Sequence, residues 1–416
     1  MDRTMMKQYA AILKEELLPA MGCTEPIAVA YAAAYLTRVL GGRPKEIDAE
    51  VSGNILKNVK SVVVPNTGGL CGVKAAIAAG VVAGDPDKKL EVISSVTPQQ
   101  REAIQNYMDT CPISLSCMQT PRMLDIRLTG RSENKEAVVQ IANNHTNIVY
   151  VEYNGKIVLQ RPASDDAEDN LTDKSVLNVR DIVSFAKDAP LALFYDAVKR
   201  QIDYNSAIAE EGISGKWGAG VGWVMLQSAP DDVATQARAY AAAGSDARMS
   251  GCELPVVIVS GSGNQGITAC LPVVRFAKYL KADEEKTVRA VALSDLVTIH
   301  QKTGIGRLSA YCGAVSAGCG AACGVAYLFD GGEEAVAATL KNAIAIASGM
   351  ICDGAKPSCA AKIATSVQAG LLGYAMYRKQ KGFKGGDGIV SDDVEDTIRS
   401  VGVLAKDGMQ HTDKVI

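Results

Sequence analysis

Eleven cysteines stand against only three histidines, His145, His300 and His411. A mixed Cys/His zinc site is therefore poorly supplied, whereas an all-thiolate centre is well supplied. Cys352 and Cys359, in MICDGAKPSCAAK, flank Gly354 and Pro357, which break any helix between them. Thiols on either side of such a turn can converge on one metal centre, with a third thiolate from a neighbouring helix completing the set. Cys312, Cys319 and Cys323 recur at i, i+7 and i+11, which places them on roughly one face of a predicted helix. In a Gly/Ala-rich helix such a stripe reads first as packing. Cys71, Cys111, Cys117, Cys252 and Cys270 lie singly among apolar neighbours and read as small buried hydrophobes. Cys23, in MGCTEPIAVA, immediately precedes a helix whose first turn holds Thr24, Glu25 and Pro26. Either Cys23 or Thr24 serves as N-cap there. A cysteine at a helix N-terminus is expected to have a lowered pKa and to act as nucleophile, base or ligand; the alternative is an incidental residue in a capped turn.

Two glycine-containing stretches add polar groups. In VVIVSGSGNQGITACLPVV a short apolar run leads into Gly261, Gly263 and Gly266 and then a helix, a formal match to G-x-G-x-x-G. Asp283 and Glu284 stand near the expected distance but precede a helix and do not end a second strand, so the dinucleotide reading fails. What survives is an anion site built from amides at a helix N-terminus with Ser262, Gly263, Asn264 and Gln265. A substrate carboxylate fits it as well as a phosphate. VSGNILKNVKSVVVPNTGGLCG places Ser52, Asn54, Lys57, Asn58, Asn66 and Thr67 around two glycine-containing turns, where they cap backbone groups or bind substrate. Asn143, Asn144, His145 and Thr146 form a similar cluster, either a surface turn or an active-site edge.

These residues need a scaffold. Hydrophobic residues make up 48% and charged ones 21% of 416 residues, the composition of a packed globular chain with two domains or one large insertion. A net charge of −3, spread along the chain, gives no footprint for nucleic acid or an anionic membrane. The opening MDRTMMKQYAAILKEELLPA is an amphipathic helix without a signal-peptide stretch, so a cytoplasmic protein with reduced thiols is expected. Residues 308–329 lack charge and are long enough to span a bilayer, yet their four glycines, two serines and many alanines point to a buried helix. Helical periodicity covers 4–18 and 25–40, split by Pro19, Gly22 and Pro26. Between 46 and 161 the runs LDIRLTG, IVYVEY and KIVLQ are β-rich, Asn154-Gly155 marks a hairpin, and helices are expected at 97–109 and 132–143. Residues 162–175 form a polar, acidic connection, and from Val179 onward the pattern is helical and alanine-rich. The expected fold is α+β: a mostly helical catalytic domain from 1–44 and 176–416, with small-residue-rich buried helices, and an inserted α+β domain at 45–175 carrying a β-sheet. The insertion could supply the edge of a homodimer.

Taken in order, ELLPAMGCTEPIAVA, SGNILKNVK, VPNTGGLCG, VSGSGNQGI, RLSAYCGAVSAGCGAACG and ICDGAKPSCAAK resemble the L-cysteine desulfidase family, which is related to the alpha domain of iron–sulfur L-serine dehydratases. The resemblance covers nearly the whole length. It implies a 4Fe–4S cluster held by Cys312, Cys352 and Cys359, with Cys23 a fourth ligand or a catalytic thiol. It also implies conversion of L-cysteine to pyruvate, ammonia and sulfide without pyridoxal phosphate. Three thiolates on four irons leave one iron open as a Lewis acid. On that reading Cys23, or next Glu25, takes the Cα proton, and the 261–266 loop holds the carboxylate. Three alternatives are the same chemistry on L-serine, a pyridoxal-phosphate lyase with Lys57 as the Schiff-base lysine, and a thiol-rich redox or metal-storage protein.

Overall fold

The computed structural model describes every residue except 163–170, 307, 308 and 330, together with the side chain of Lys414. Most of the expected 162–175 connection therefore lies outside the described residues. The first half of the chain runs α1 (Arg3–Glu16), β1 (Pro19–Met21), α2 (Thr24–Leu40), β2 (Glu46–Val51), α3 (Gly53–Val59), α4 (Gly72–Ala83), α5 (Pro98–Thr110), β3 (Ile113–Cys117), β4 (Asp125–Ser132), β5 (Lys135–Ala142), β6 (Ile148–Tyr153) and β7 (Lys156–Gln160). After that come α6 (Val179–Asp188), α7 (Tyr195–Gly212), α8 (Val221–Ser228), α9 (Val233–Met249), β8 (Pro255–Val257), α10 (Gly263–Leu280), α11 (Glu284–Ile305), α12 (Gly313–Phe329), α13 (Glu333–Ala347), α14 (Cys359–Arg378), α15 (Val394–Val403) and α16 (Gln410–Val415). The molecule is mostly helical with one mixed sheet, an α+β fold.

The sheet has the order β3-β2-β4-β5-β6-β7, with β2 and β3 parallel and the other neighbours antiparallel. Local signals decide several of its turns. Asn154 and Gly155 both take positive φ between β6 and β7, as a two-residue hairpin loop requires. Thr97 and Gln100 close a reciprocal capping box that starts α5. The stretch 132–143, expected as a helix, is instead the turn into β5 and the strand itself. KEAVVQIA satisfies either period, and pairing with β4 along its whole length decides in favour of the strand. Ala137, Val139 and Ile141 then face the core beneath α2.

α1 buries Tyr9, Ile12 and Leu13 in the helical core. The second helix departs from the grouping expected for it: residues Ile27 to Leu40 of α2 bury their side chains with the sheet and α4. α2 is apolar nearly all round, so it needs cover on every side, and the sheet and α4 provide it. Gly80 of α4 permits the approach, because a Cβ there would overlap the Ala30 carbonyl oxygen. α4 was not anticipated from sequence.

In the helical part, α12 lies almost wholly buried, packed on α10, α11, α13 and α14. Among the described residues no helix is long and apolar enough to cross a membrane. Cys319 and Cys323 sit on α12 within the core, but Cys312 precedes the helix, so the expected three-cysteine stripe is broken. The reason is a short antiparallel bridge between Tyr311 and Ile351. Through it the Cys312 amide donates to the Met350 carbonyl and the Cys352 amide to the Ala310 carbonyl, drawing the two cysteines together. A second small pairing, β1 with β8, ties the segment before Cys23 to the run before the 261–266 turn.

Candidate active site

These two pairings bring four distant segments to one cavity of about 100 Å³, walled by Cys23, Glu25, Ser262, Asn264, Gln265, Cys312, Cys352 and Cys359. Asn58 and Arg248 complete its polar lining. A water molecule needs roughly 10–15 Å³ by the same measure, so the space suits a small amino acid and not a nucleotide.

The thiols differ in acidity. Cys312 and Cys352 face one another across the bridge and perturb each other in opposite directions. The Cys312 thiol holds Cys352 below the usual thiol range, helped by the Gly354 amide and the Lys57 cation and opposed by burial. Cys312 is pushed well above the usual thiol range by Cys352 and by burial. Burial also raises Cys359, the first residue of α14, whose Sγ lies 3.7 Å from the Gly354 carbonyl oxygen. Of the three thiols, Cys352 is therefore the one most readily ionised.

Cys23 is the N-cap of α2 but its thiol is not activated. It packs against Val62 and Met249, and burial pushes its pKa up to about 12 against the pull of Arg248. Desolvation outweighs the helix N-terminus here, which reverses the expected lowering. Glu25 next to it accepts hydrogen bonds from Asn58 Nδ2 and Thr24 Oγ1, both at 3.1 Å. Thr24 Oγ1 also reaches the Gly261 carbonyl at 3.0 Å, joining the start of α2 to the glycine turn.

Several expected binding residues do other work. Ser52 Oγ donates to the Met123 carbonyl and accepts from the Asp125 amide. Asn66, at φ +62°, donates to the Ile93 carbonyl, and Thr67 closes its own turn between Val64 and Leu70. None of the three lines the cavity. Asn54 and Lys57 line a separate cleft of about 880 Å³ between α3 and the chain end. Lys57 Nζ is committed to Asp413 at 2.7 Å and to the Cys352 carbonyl at 3.3 Å, so it is not free to form a Schiff base. The 143–146 cluster forms the β5–β6 connection, away from the cavity lining. Ser262 is the N-cap of α10 with no side-chain capping bond, and Gly263 starts that helix against the guanidinium of Arg248.

Residues 87–416 match the model of the serine dehydratase alpha chain. The chain belongs to this family. It is 52% identical over 408 residues to a UPF0597 protein of Desulfitobacterium hafniense, covering 98% of this chain and 95% of that one. UPF0597 proteins of Treponema denticola and Lachnoclostridium phytofermentans are 45% and 47% identical, each pairing covering at least 98% of both chains. Membership of the serine dehydratase alpha-chain family implies a lyase of that type. The family match contains Arg248, the 262–265 turn and the thiols at 312, 352 and 359; Cys23, Glu25 and Asn58 precede it.

Whether the residues present fit the cluster associated with such lyases depends on donor chemistry and spacing. Among the described residues no three His, Cys, Asp or Glu side chains converge closely enough for a single ion. An iron–sulfur core takes each thiolate on its own iron, so its ligands stand farther apart around a common centre. Three thiols on one small cavity fit that requirement in kind.

Arg248 escaped the sequence reading. A lone arginine near the end of an alanine-rich helix reads as a favourable partner for the helix C-terminus, and that disguised it. It is in fact buried, with Nε donating to the Gly22 carbonyl and Nη1 to Asn264 Oδ1, both at 3.0 Å. The available signal was its position among small residues, in GSDARMSG, where an exposed charge has no room.

Proposed function

We propose that this protein is an iron–sulfur-dependent lyase that eliminates the β-substituent of a small L-amino acid, L-cysteine first, giving pyruvate, ammonia and sulfide. The observation that carries the reading is the meeting of Cys312, Cys352 and Cys359 on one cavity with Glu25 and the start of α10. Those three cysteines would hold a 4Fe–4S cluster, which when bound supplies an open iron as a Lewis acid for the leaving group. Glu25, oriented by Asn58 and Thr24, takes the Cα proton. The Cα–H electron pair becomes the Cα=Cβ bond and the Cβ–S bond breaks towards sulfur. Cys23, protonated at neutral pH, is the candidate donor of a proton to the departing sulfur. The aminoacrylate released takes up water and yields pyruvate and ammonia.

L-serine is the second reading, favoured by the family description, with loss of hydroxide in place of sulfide. Pyruvate formation from each amino acid by protein purified without oxygen decides between them. Preferential turnover of L-cysteine supports the first reading, preferential turnover of L-serine the second, and turnover of neither overturns both. A cytoplasmic homodimer completes the proposal. Its interface would be β7, the sheet edge on which Ile157 and Val158 are exposed.

A further inference from the structure

Three polar groups on the cavity wall are left without partners, and they are of opposite kinds. Arg248 is buried and uses Nε and Nη1 on protein oxygens, but Nη2 has no partner and no carboxylate pairs with the guanidinium among the described residues. A buried cation without a counter-ion is costly, so its retention beside a cavity points to an anion that arrives from outside. Gly263 leaves the space for the guanidinium itself, since a Cβ there would collide with it. Asn58, only 6% exposed, donates through Nδ2 to the Glu25 carboxylate, which fixes its amide orientation and leaves Oδ1 unpartnered. Gln265, 5% exposed and packed against Gly313, leaves Oε1 unpartnered. The oriented acceptor of Asn58 points to a ligand that brings an N–H group, and Gln265, whose amide no hydrogen bond fixes among the described residues, can turn its oxygen to the same ligand.

We propose that these side chains form a receptor for a zwitterion: Arg248 Nη2 binds the α-carboxylate, and Asn58 Oδ1 with Gln265 Oε1 bind the α-ammonium of a free, small α-amino acid. The inference rests on the lyase reading of the same cavity and specifies how that cavity selects its substrate. Glu25 lies next to the ammonium acceptors through its bond to Asn58, which sets the proton acceptor on the Cα side of the bound molecule. A cavity of about 100 Å³, part of which a cluster on the three cysteines would take, excludes aromatic residues and peptides.

The test uses three size-matched probes that lack a leaving group: L-alanine, propionate and ethylamine. Their binding to the purified full chain is followed by ligand-observed NMR and by inhibition of L-cysteine turnover. Wild-type protein should bind L-alanine more tightly than either half. Arg248→Met should weaken L-alanine and propionate about 100-fold, the loss of one charge-assisted hydrogen bond and its charge, and leave ethylamine unchanged. Arg248→Lys should recover part of the loss and guards against a folding defect in the methionine variant. Asn58→Leu and Gln265→Met should each weaken L-alanine and ethylamine about tenfold and spare propionate. Equal weakening of all three probes in every variant, or no change in L-alanine binding, overturns the receptor. If L-alanine binds with these dependences but neither L-cysteine nor L-serine is eliminated, the receptor stands and the lyase reading falls. If L-cysteine is eliminated with the same KM in Arg248→Met, the reverse holds.

Discussion

Lys57 Nζ lies 2.7 Å from Asp413 Oδ1, with only 7% and 8% of the two side chains exposed. The other Asp413 oxygen accepts the Ala310 amide at 2.9 Å, and Lys57 Nζ also reaches the Cys352 carbonyl. One buried ion pair thus fastens α3 and α16 to both strands of the bridge that presents Cys312 and Cys352. Removing either partner alone strands a buried charge and should cost about 3–5 kcal/mol. Lys57→Met combined with Asp413→Leu should cost clearly less than the sum of the single changes, measured by urea unfolding of the metal-free protein.

Glu25→Gln keeps a side chain that can still accept from Asn58 but cannot take a proton. It should lower kcat about 10²–10⁴-fold while iron content stays at the wild-type level. Unchanged kcat removes Glu25 from the mechanism.

Asp246 is fully buried, and burial pushes its carboxyl up to about 6 even though it accepts the Gly222 amide at the start of α8. The folded pKa lies above the reference value of 3.8, so the folded state binds this proton more tightly than the unfolded chain does. Its contribution is fully present below the unfolded value and is lost as pH rises through about 6. The swing is about 3 kcal/mol. Asp246→Asn should flatten that part of the stability–pH profile, read from urea midpoints between pH 4 and 7.

Gly80→Ala tests the close approach of α2 and α4. The added methyl would strike the Ala30 carbonyl oxygen, so a loss of about 1–3 kcal/mol is expected in the same unfolding assay. No loss would mean that α2 and α4 stand farther apart.

The parts of this fold that local chemistry dictates were open to the sequence. The Asn154-Gly155 turn needs only two residues, and the Thr97–Gln100 box only four. Lys135–Ala142 misled because its apolar residues satisfy both periods and β4, its arbiter, acts through pairing. The partner of α2 was hidden for a similar reason: a helix apolar on all sides says that it is covered, not by what. In the site, Cys23, Glu25, Ser262, Asn264, Gln265 and the thiols at 312, 352 and 359 were nameable from type and spacing, and all of them line one cavity. Ser52, Asn66 and Thr67 were not separable by sequence from cavity-lining residues, because a polar residue that closes its own turn, as Thr67 does, or ties down a distant carbonyl, as Ser52 and Asn66 do, has the same signature. The charge state of Cys23 was misjudged because desolvation by Met249 and Val62 comes from segments far along the chain.

Iron and acid-labile sulfide, counted per chain in protein purified without oxygen, bear most directly on the shared cavity of Cys312, Cys352 and Cys359. The lyase reading requires about four of each in the wild type. In Cys312→Ser, Cys352→Ser and Cys359→Ser most of both should be lost together with pyruvate formation. Full iron in all three variants, or an iron-free wild type that still forms pyruvate from L-cysteine, would contradict it.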